Sequence, residues 1–122
     1  MIRFIRIILA IAAYYDYEIW QMDVKTAFLN GILEEDVYIT QPEGFEDPND
    51  AWKVCKLKKS IYRLKQASMS WNFQFDEKIK EFDFIRCKED SFVYKKFSGS
   101  KVAFLVLYVD EILINGNNIP ML

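Results

Sequence analysis

The alternation of apolar and polar residues along the chain predicts a few helices and strands joined by short polar loops. Near the N-terminus, apolar residues recur every three or four positions, which is the spacing of one face of a helix. These residues are Phe4, Ile7, Ile8, Ile11 and Ala12. The stretch YEIWQMDV then predicts a short strand ending near Asp23, and AFLNG predicts a brief helical turn or a loop closed by Gly31.

The middle of the chain predicts one edge strand and one amphipathic helix. VYITQPEGF is typical of an edge strand broken by Pro42, because proline cannot donate a hydrogen bond to a ladder. Ser68 or Ser70 is positioned to cap a following helix. The apolar positions of that helix recur every three or four residues and are expected in the core; they are Trp71, Phe75, Ile79 and Phe82.

The C-terminal third predicts consecutive antiparallel strands. SFVYKKF and KVAFLVLYV flank SGS, a pattern typical of a β-hairpin, and ILI predicts a further strand turning back. No repeat or linker interrupts the sequence. The fold class expected is therefore α+β, an antiparallel sheet packed with helices in one unit, residues 1–122.

Two adjacent carboxylates, Asp110 and Glu111, lie between two apolar runs in AFLVLYVDEILING. A carboxylate pair on a tight turn, held by two strands, presents oxygen ligands to a hard cation such as Mg²⁺. An exposed acidic hairpin turn without a ligand explains the same pattern. Asp23, at another strand end, favours the metal site, because three carboxylates from two segments could hold two cations about 3.5 to 4 Å apart.

Composition narrows the possible chemistry. The chain has no histidine, which excludes histidine-based triads and His-ligated zinc. Cys55 and Cys87 lack the spacing of a zinc site or disulfide framework. Residues 34–50 hold seven acids and no base, whereas residues 53–65 hold six bases and no acid. Such runs are typical of solvated surfaces, and a basic strip beside carboxylates is also typical of proteins that handle polyanions.

The N-terminal segment MIRFIRIILAIAA has basic, apolar and small residues in the order of a signal peptide. Helical spacing explains the same residues as one face of a buried helix. The apolar run is shorter than the roughly 20 residues that a membrane span requires, so no membrane association is expected.

Five segments, in this order, resemble the reverse transcriptase domain of Ty1/copia-type LTR retrotransposon Pol polyproteins. They are QMDVKTAFLNG, VYITQPEGF, KVCKLKKSIYRLKQAS, SW before an aromatic-rich helix, and LYVDEILI. The resemblance implies a polymerase palm with part of the fingers. It also implies nucleotidyl transfer with two Mg²⁺ ions, a primer–template of RNA or DNA, and dNTPs, in an intracellular, cytoplasmic, virus-like particle setting.

The resemblance also implies roles for particular residues. Asp23, Asp110 and Glu111 would be the catalytic metal ligands. Phe28 would lie under the incoming sugar and exclude a 2′-hydroxyl. Gln66 would contact the nucleotide and template region. Lys65 and Lys25 would be phosphate neighbours.

Three positions depart from the family pattern. Glu111 replaces the second aspartate of Tyr-Val-Asp-Asp, and its extra methylene shifts the carboxylate by about 1.5 Å, one carbon–carbon bond. Arg63 replaces a glycine, which would strain a backbone that needs positive φ. Met69 replaces a frequent basic residue. The resemblance also implies that the family domain continues past both ends of this chain, so a thumb is not expected within residues 1–122.

We therefore expect a partial reverse transcriptase that is inactive in isolation. The alternatives are a non-catalytic retrotransposon remnant and a weak nucleic-acid-binding module that uses the basic strip. The sequence leaves the oligomeric state open.

Overall fold

The computed structural model describes residues 2–122, apart from the side chain of residue 30. The described chain forms two compact units. The first consists of Met1–Lys25 and Gln74–Leu122, and the second of Thr26–Phe73. Each unit is described separately below.

The first unit is built on a five-stranded antiparallel sheet. Its strands are β1 (Glu18–Asp23), β4 (Ile85–Arg86), β5 (Val93–Ser98), β6 (Lys101–Tyr108) and β7 (Glu111–Gly116). The strand order is β1-β7-β6-β5-β4, so β6 is central and β1 is an edge strand. The predicted strands of residues 17–24 and 91–114 are thus confirmed, and β4 is a short addition that the sequence did not predict.

Helix α1 (Ile2–Tyr15) packs on one face of this sheet. Ile8 forms a buried cluster with Val93 of β5 and Val106 of β6. Ala12, one turn further, is also buried, which confirms the predicted helix face. The prediction for Ile7 was wrong, since 53% of this residue is exposed. No helix in residues 2–122 is long and apolar enough to cross a membrane.

Helix α2 (Lys65–Lys80) extends from the second unit into the first. Its Phe75 is buried and packs edge-on against Tyr94 of β5, with ring centroids 5.7 Å apart. Phe82 was wrongly predicted to lie in the core: it follows the end of the helix and is 58% exposed.

The start of α2 also differs from the prediction. The helix begins at Lys65, so Ser68 and Ser70 lie inside it and cap nothing. The amide of Ala67 donates to the carbonyl of Leu64, at 3.2 Å. Helical hydrogen bonding therefore begins before Ser68, the first of the two predicted capping residues. Ser70 instead donates its hydroxyl to the carbonyl of Ile32, at 3.2 Å.

The second unit contains a two-stranded antiparallel sheet of β2 (Tyr38–Thr40) and β3 (Val54–Lys56). β2 ends before Pro42, as the sequence predicted. A 3₁₀ turn, Ala27–Asn30, corresponds to the predicted helical turn before Gly31. Gln41 fixes the long loop between the strands, since its amide donates to the carbonyls of Asp50 and Lys53 and accepts from the amide of Asp47.

Candidate active site

The candidate site is built around the turn between β6 and β7. β6 ends at Tyr108 and β7 begins at Glu111, and these two residues are paired. Only Val109 and Asp110 form the turn, so Asp110 lies in it and Glu111 is the first residue of the strand.

Val109 adopts a φ of 58°, a conformation that β-branched residues rarely occupy. Two-residue hairpin turns require positive φ at their first central position, which glycine usually supplies. The flanking strands therefore impose a conformation costing on the order of 1 to 3 kcal/mol. Sequence reasoning missed this residue, although a two-residue hairpin without glycine was a usable signal.

Asp23 lies directly across from Glu111 in the pairing of β1 with β7. The amide of Val24 donates to the carbonyl of Asp110, at 2.8 Å. Bonded and non-bonded pairs alternate along an antiparallel ladder, so Asp23 and Glu111 form a non-bonded pair with Cα atoms about 4.5 Å apart. The backbone thus brings together the three carboxylates named from the sequence, from both ends of the chain.

Asp23 and Glu111 are exposed and Asp110 is half-buried. Within residues 2–122, side chain 30 excepted, no three acidic, cysteine or histidine side chains are arranged to hold a metal ion. Carboxylate oxygens are the ligands that Mg²⁺ prefers. The three side chains therefore offer the donor type that Mg²⁺ prefers, but they are not arranged to share an ion in this structure.

Glu111 also lines a pocket of about 190 Å³ in the first unit. The other lining residues are largely apolar and come from α1, β1, β6 and β7: Ile5, Gln21, Val106, Tyr108, Ile112 and Leu113.

The residues proposed to contact a nucleotide lie mainly in the second unit. Phe28 is half-buried in the 3₁₀ turn and packs edge-on against Tyr62, with ring centroids 5.2 Å apart. Lys65 and Gln66 are exposed at the start of α2. Lys25, in the first unit, is exposed in the turn after β1.

The basic strip, residues 53–65, divides into paired and unpaired cations. Lys53 forms an ion pair with Asp50 and Lys56 with Asp36, both at 2.8 Å. The hydrogen bond that Lys56 donates to the Asp36 carboxylate raises the pKa of Lys56. The other four cations are exposed, and the described part of the chain gives them no ion pair: Lys58, Lys59, Arg63 and Lys65.

Arg63 has a φ of 74° in the turn before α2. The sequence raised the possibility that the backbone here needs positive φ, and the structure confirms it. A side chain in this conformation is less favourable than glycine by roughly 1 to 2 kcal/mol. Glycine would suit this position better than arginine.

The family of reverse transcriptases (RNA-dependent DNA polymerases) matches residues 1–122, the whole sequence. The chain belongs to this reverse transcriptase family. The resemblance inferred from the five segments is thereby confirmed.

Curated relatives are Pol polyproteins of transposons. The chain is 49% identical over 115 residues to the retrovirus-related Pol polyprotein from transposon TNT 1-94 of Nicotiana tabacum, covering 93% of this chain and 9% of the relative. It is 38% identical over 118 residues to that of transposon RE1 of Arabidopsis thaliana, covering 97% and 8%. A putative transposon Ty5-1 protein of Saccharomyces cerevisiae is 33% identical over 93 residues, covering 76% and 30%.

The chain therefore spans less than a tenth of the length of the two Pol polyproteins named above. The comparison with solved structures returned no significant match.

Proposed function

We propose that this chain carries the nucleotidyl-transfer site of an RNA-directed DNA polymerase of the copia type. The observation that supports it is the cross-strand pair of Asp23 and Glu111 beside Asp110. The five-stranded sheet would be the palm, and residues 26–73 would supply part of the fingers. The partners would be a primer–template of RNA or DNA and a dNTP.

The role of the three carboxylates would be to hold two Mg²⁺ ions. When bound, such ions neutralise charge on the transferred phosphoryl group. The strands fix the backbone of the ligands, so little ordering would be required when substrate arrives. Glu111, longer than aspartate, reaches a different point from the same backbone position.

The contribution of the second unit would be to position the nucleotide. Phe28, held by Tyr62, would block a 2′-hydroxyl sterically and so favour dNTPs over rNTPs. Gln66 would hydrogen-bond near the nucleotide and template. Lys65, together with Lys25 of the first unit, would attract the phosphates, an effect that salt weakens.

We also propose that the chain as written has little activity alone. A misplacement of a catalytic group by about 1 Å can cost 10²-fold in rate. The longer Glu111 side chain displaces its carboxylate by a distance of that order. The strained backbone at Arg63 is a second, separate handicap, because it destabilises the turn before α2.

Primer extension on an RNA template with Mg²⁺ and dNTPs tests the catalytic assignment. We expect the Glu111→Asp variant to incorporate at least tenfold more nucleotide than the chain as written, and Asp23→Asn to abolish incorporation. Glu18→Gln is the matched control, since it removes an exposed carboxylate from the same strand. Equal, measurable incorporation by Glu111→Asp and the double variant Asp23→Asn/Glu111→Asp would refute the assignment.

Metal binding is measurable without activity. A ligand that binds only the folded state raises the melting temperature. Mg²⁺ should therefore raise the melting temperature of the parent chain and of Glu18→Gln, but should leave the melting temperature of Asp23→Asn unchanged. The same shift in all three proteins would exclude Asp23 as a ligand.

A non-catalytic nucleic-acid-binding module is the second candidate function. The four exposed cations without ion pairs favour it, because phosphate contacts supply most non-specific affinity. Binding of a primer–template without incorporation by any variant, Glu111→Asp included, would select this function.

A further inference from the structure

β1 is an edge strand whose side chains are exposed along its whole length. It pairs with β7 on one side only, and all six of its residues, Glu18–Asp23, are exposed. Three of them are large and apolar: Ile19 at 45%, Trp20 at 52% and Met22 at 46% exposure. Both faces of the strand thus carry half-exposed apolar side chains.

The ladder with β7 fixes which backbone groups point away from the sheet. Because the amide of Val24 donates to the carbonyl of Asp110, alternation places the bonded residues of β1 at even positions, such as Trp20 and Met22. The backbone N–H and C=O groups of Ile19, Gln21 and Asp23 therefore point to the open edge. They form a row of donors and acceptors spaced two residues apart.

β1 carries charges only at its two ends, Glu18 and Asp23, and otherwise has few of the common protections of an edge strand. Natural sheets block open edges with proline, lysine, bulges or a covering segment. β1 contains neither proline nor lysine, and its six-residue register with β7 is continuous. The edge is therefore geometrically able to accept another strand.

The charged residues around β1 indicate which kind of strand could pair with its open edge. Residues 16–25, which contain β1, hold three acids, Asp16, Glu18 and Asp23, and one base, Lys25. Two copies of this edge would bring together strands of the same sign, which is unfavourable. A strand with lysine or arginine at its ends would instead meet acids at both ends of β1.

We propose that the open edge of β1 binds an extended segment of a partner protein by β-strand addition. The segment has alternating apolar residues flanked by lysine or arginine. Main-chain hydrogen bonds to Ile19, Gln21 and Asp23 supply affinity, and contacts with Ile19, Trp20 and Met22 supply selectivity. The proposal does not depend on catalysis.

The probe is the peptide acetyl-Lys-Val-Thr-Val-Thr-Val-Lys-amide, with binding followed by amide hydrogen exchange. We expect slower exchange at Ile19, Gln21 and Asp23, and little change at Trp20 and Met22, whose amides already bond to β7. A peptide with alternate N-methylated amides should give no protection, and one with glutamate at both ends should bind at least tenfold more weakly. Uniform protection, or none, would overturn the proposal.

Two substitutions at one position separate backbone from side-chain effects. Gln21→Pro removes the central outward N–H without touching the β7 ladder, and proline is tolerated at such edge positions. We expect it to weaken peptide binding about tenfold or more, whereas Gln21→Ala retains binding within about threefold. Exchange protection of the β5, β6 and β7 amides checks that both variants fold. Equal binding by both variants would refute strand addition.

Pairing of β1 with a second copy of this chain is distinguished from peptide binding by its dependence on protein concentration. Protection of the same three amides in the absence of peptide, increasing with protein concentration, would assign the edge to a second copy and overturn the proposal of a basic partner segment.

Discussion

Asn115 of β7 is a fully buried amide without a partner. Its exposure is 0%, and neither Oδ1 nor Nδ2 has a hydrogen-bond partner among the described residues. The cross-strand neighbours are Ile19 and Phe104, both apolar. Burying an unsatisfied amide costs about 1 to 3 kcal/mol. Asn115 therefore destabilises the sheet that carries the candidate site.

Replacing Asn115 by leucine, which has a similar size and no polar atoms, should increase the free energy of unfolding by about 1 to 2 kcal/mol. Urea denaturation measures the change. Asn117→Leu is the matched control: the Asn117 side chain accepts from the amide of Val102 and donates to the carbonyl of Ser100, both at 2.8 Å. This control should lower stability. A decrease in both variants would contradict the interpretation of Asn115.

Two other residues have a backbone conformation that their residue type does not predict. Val109 and Arg63 have positive φ, although neither residue type favours it. The sequence raised the question for Arg63 only through comparison with the family glycine. Backbone strain of this kind comes from the elements on either side, so no property of the residue itself predicts it.

At the scale of elements, an ionic network around the buried Asp76 joins α2 to β4 and β5. The Asp76 side chain is 10% exposed. It forms ion pairs with Lys80, at 2.5 Å, and Arg86, at 2.6 Å. It also accepts a hydrogen bond from the Tyr94 hydroxyl, at 3.1 Å. Burial disfavours the Asp76 carboxylate, but the bonds from Lys80 and Tyr94 and the charge of Arg86 outweigh it and lower its pKa.

Asp76→Asn should lower the free energy of unfolding at pH 7 by about 1.5 to 3 kcal/mol, the range for hydrogen bonds to charged groups. Because the pKa is lower in the folded state, the unfolded chain binds more protons and stability increases with pH. The contribution is complete above the unfolded pKa of about 3.9 and is lost as pH falls through the folded value.

Denaturant titrations of parent and variant at several pH values measure this difference. It should narrow on acidification below about pH 4. Lys78→Ala is the control, since Lys78 lies on the same helix and forms an exposed ion pair with Glu81, just after the helix end. It should change stability by less than about 0.5 kcal/mol. If the difference in free energy of unfolding between the parent chain and Asp76→Asn increased on acidification, the assigned role of the Asp76 carboxylate would be wrong.

The elements also show why some predictions failed. β5, β6 and β7 were predicted because long apolar runs around a short polar turn are a local signal. β3 and β4 have three and two residues, and they exist only because β2 and β5 pair with them. The start of α2 was missed because the helix follows a turn with positive φ at Arg63, whereas the prediction relied on serine capping.

At the scale of the whole molecule, opposite charges are concentrated in neighbouring segments of a chain whose net charge is only −2. The structure pairs Lys53 and Lys56 with acids, and leaves four cations of the strip exposed. The sequence located the strip but could not distinguish paired from unpaired cations, because pairing depends on side-chain positions. The same limit applied to the three carboxylates, whose backbone placement was predictable and whose side-chain orientation was not.

The double variant Lys58→Gln/Lys59→Gln should bind a primer–template more weakly than the parent chain. Its plot of log affinity against log salt concentration should also be shallower by up to about 2, since each phosphate contact contributes about 0.9 to the slope. Fluorescence anisotropy with labelled duplex at several salt concentrations measures both quantities. Lys56→Gln, which removes a cation already paired with Asp36, should change the slope much less. Equal slopes for all three proteins would exclude the strip as the phosphate contact.

The pairing of β1 with β7 also determines the order of folding. β5, β6 and β7 follow one another along the chain and need only short loops to pair, whereas β1 must find β7 from the opposite end of the sequence. Long loops close slowly and at greater entropic cost. We therefore expect the three-stranded meander to form first and β1 to add last, so that changes in β1 mainly accelerate unfolding, as stopped-flow kinetics would measure. Asp23 would then join the other two carboxylates only in the final step of folding.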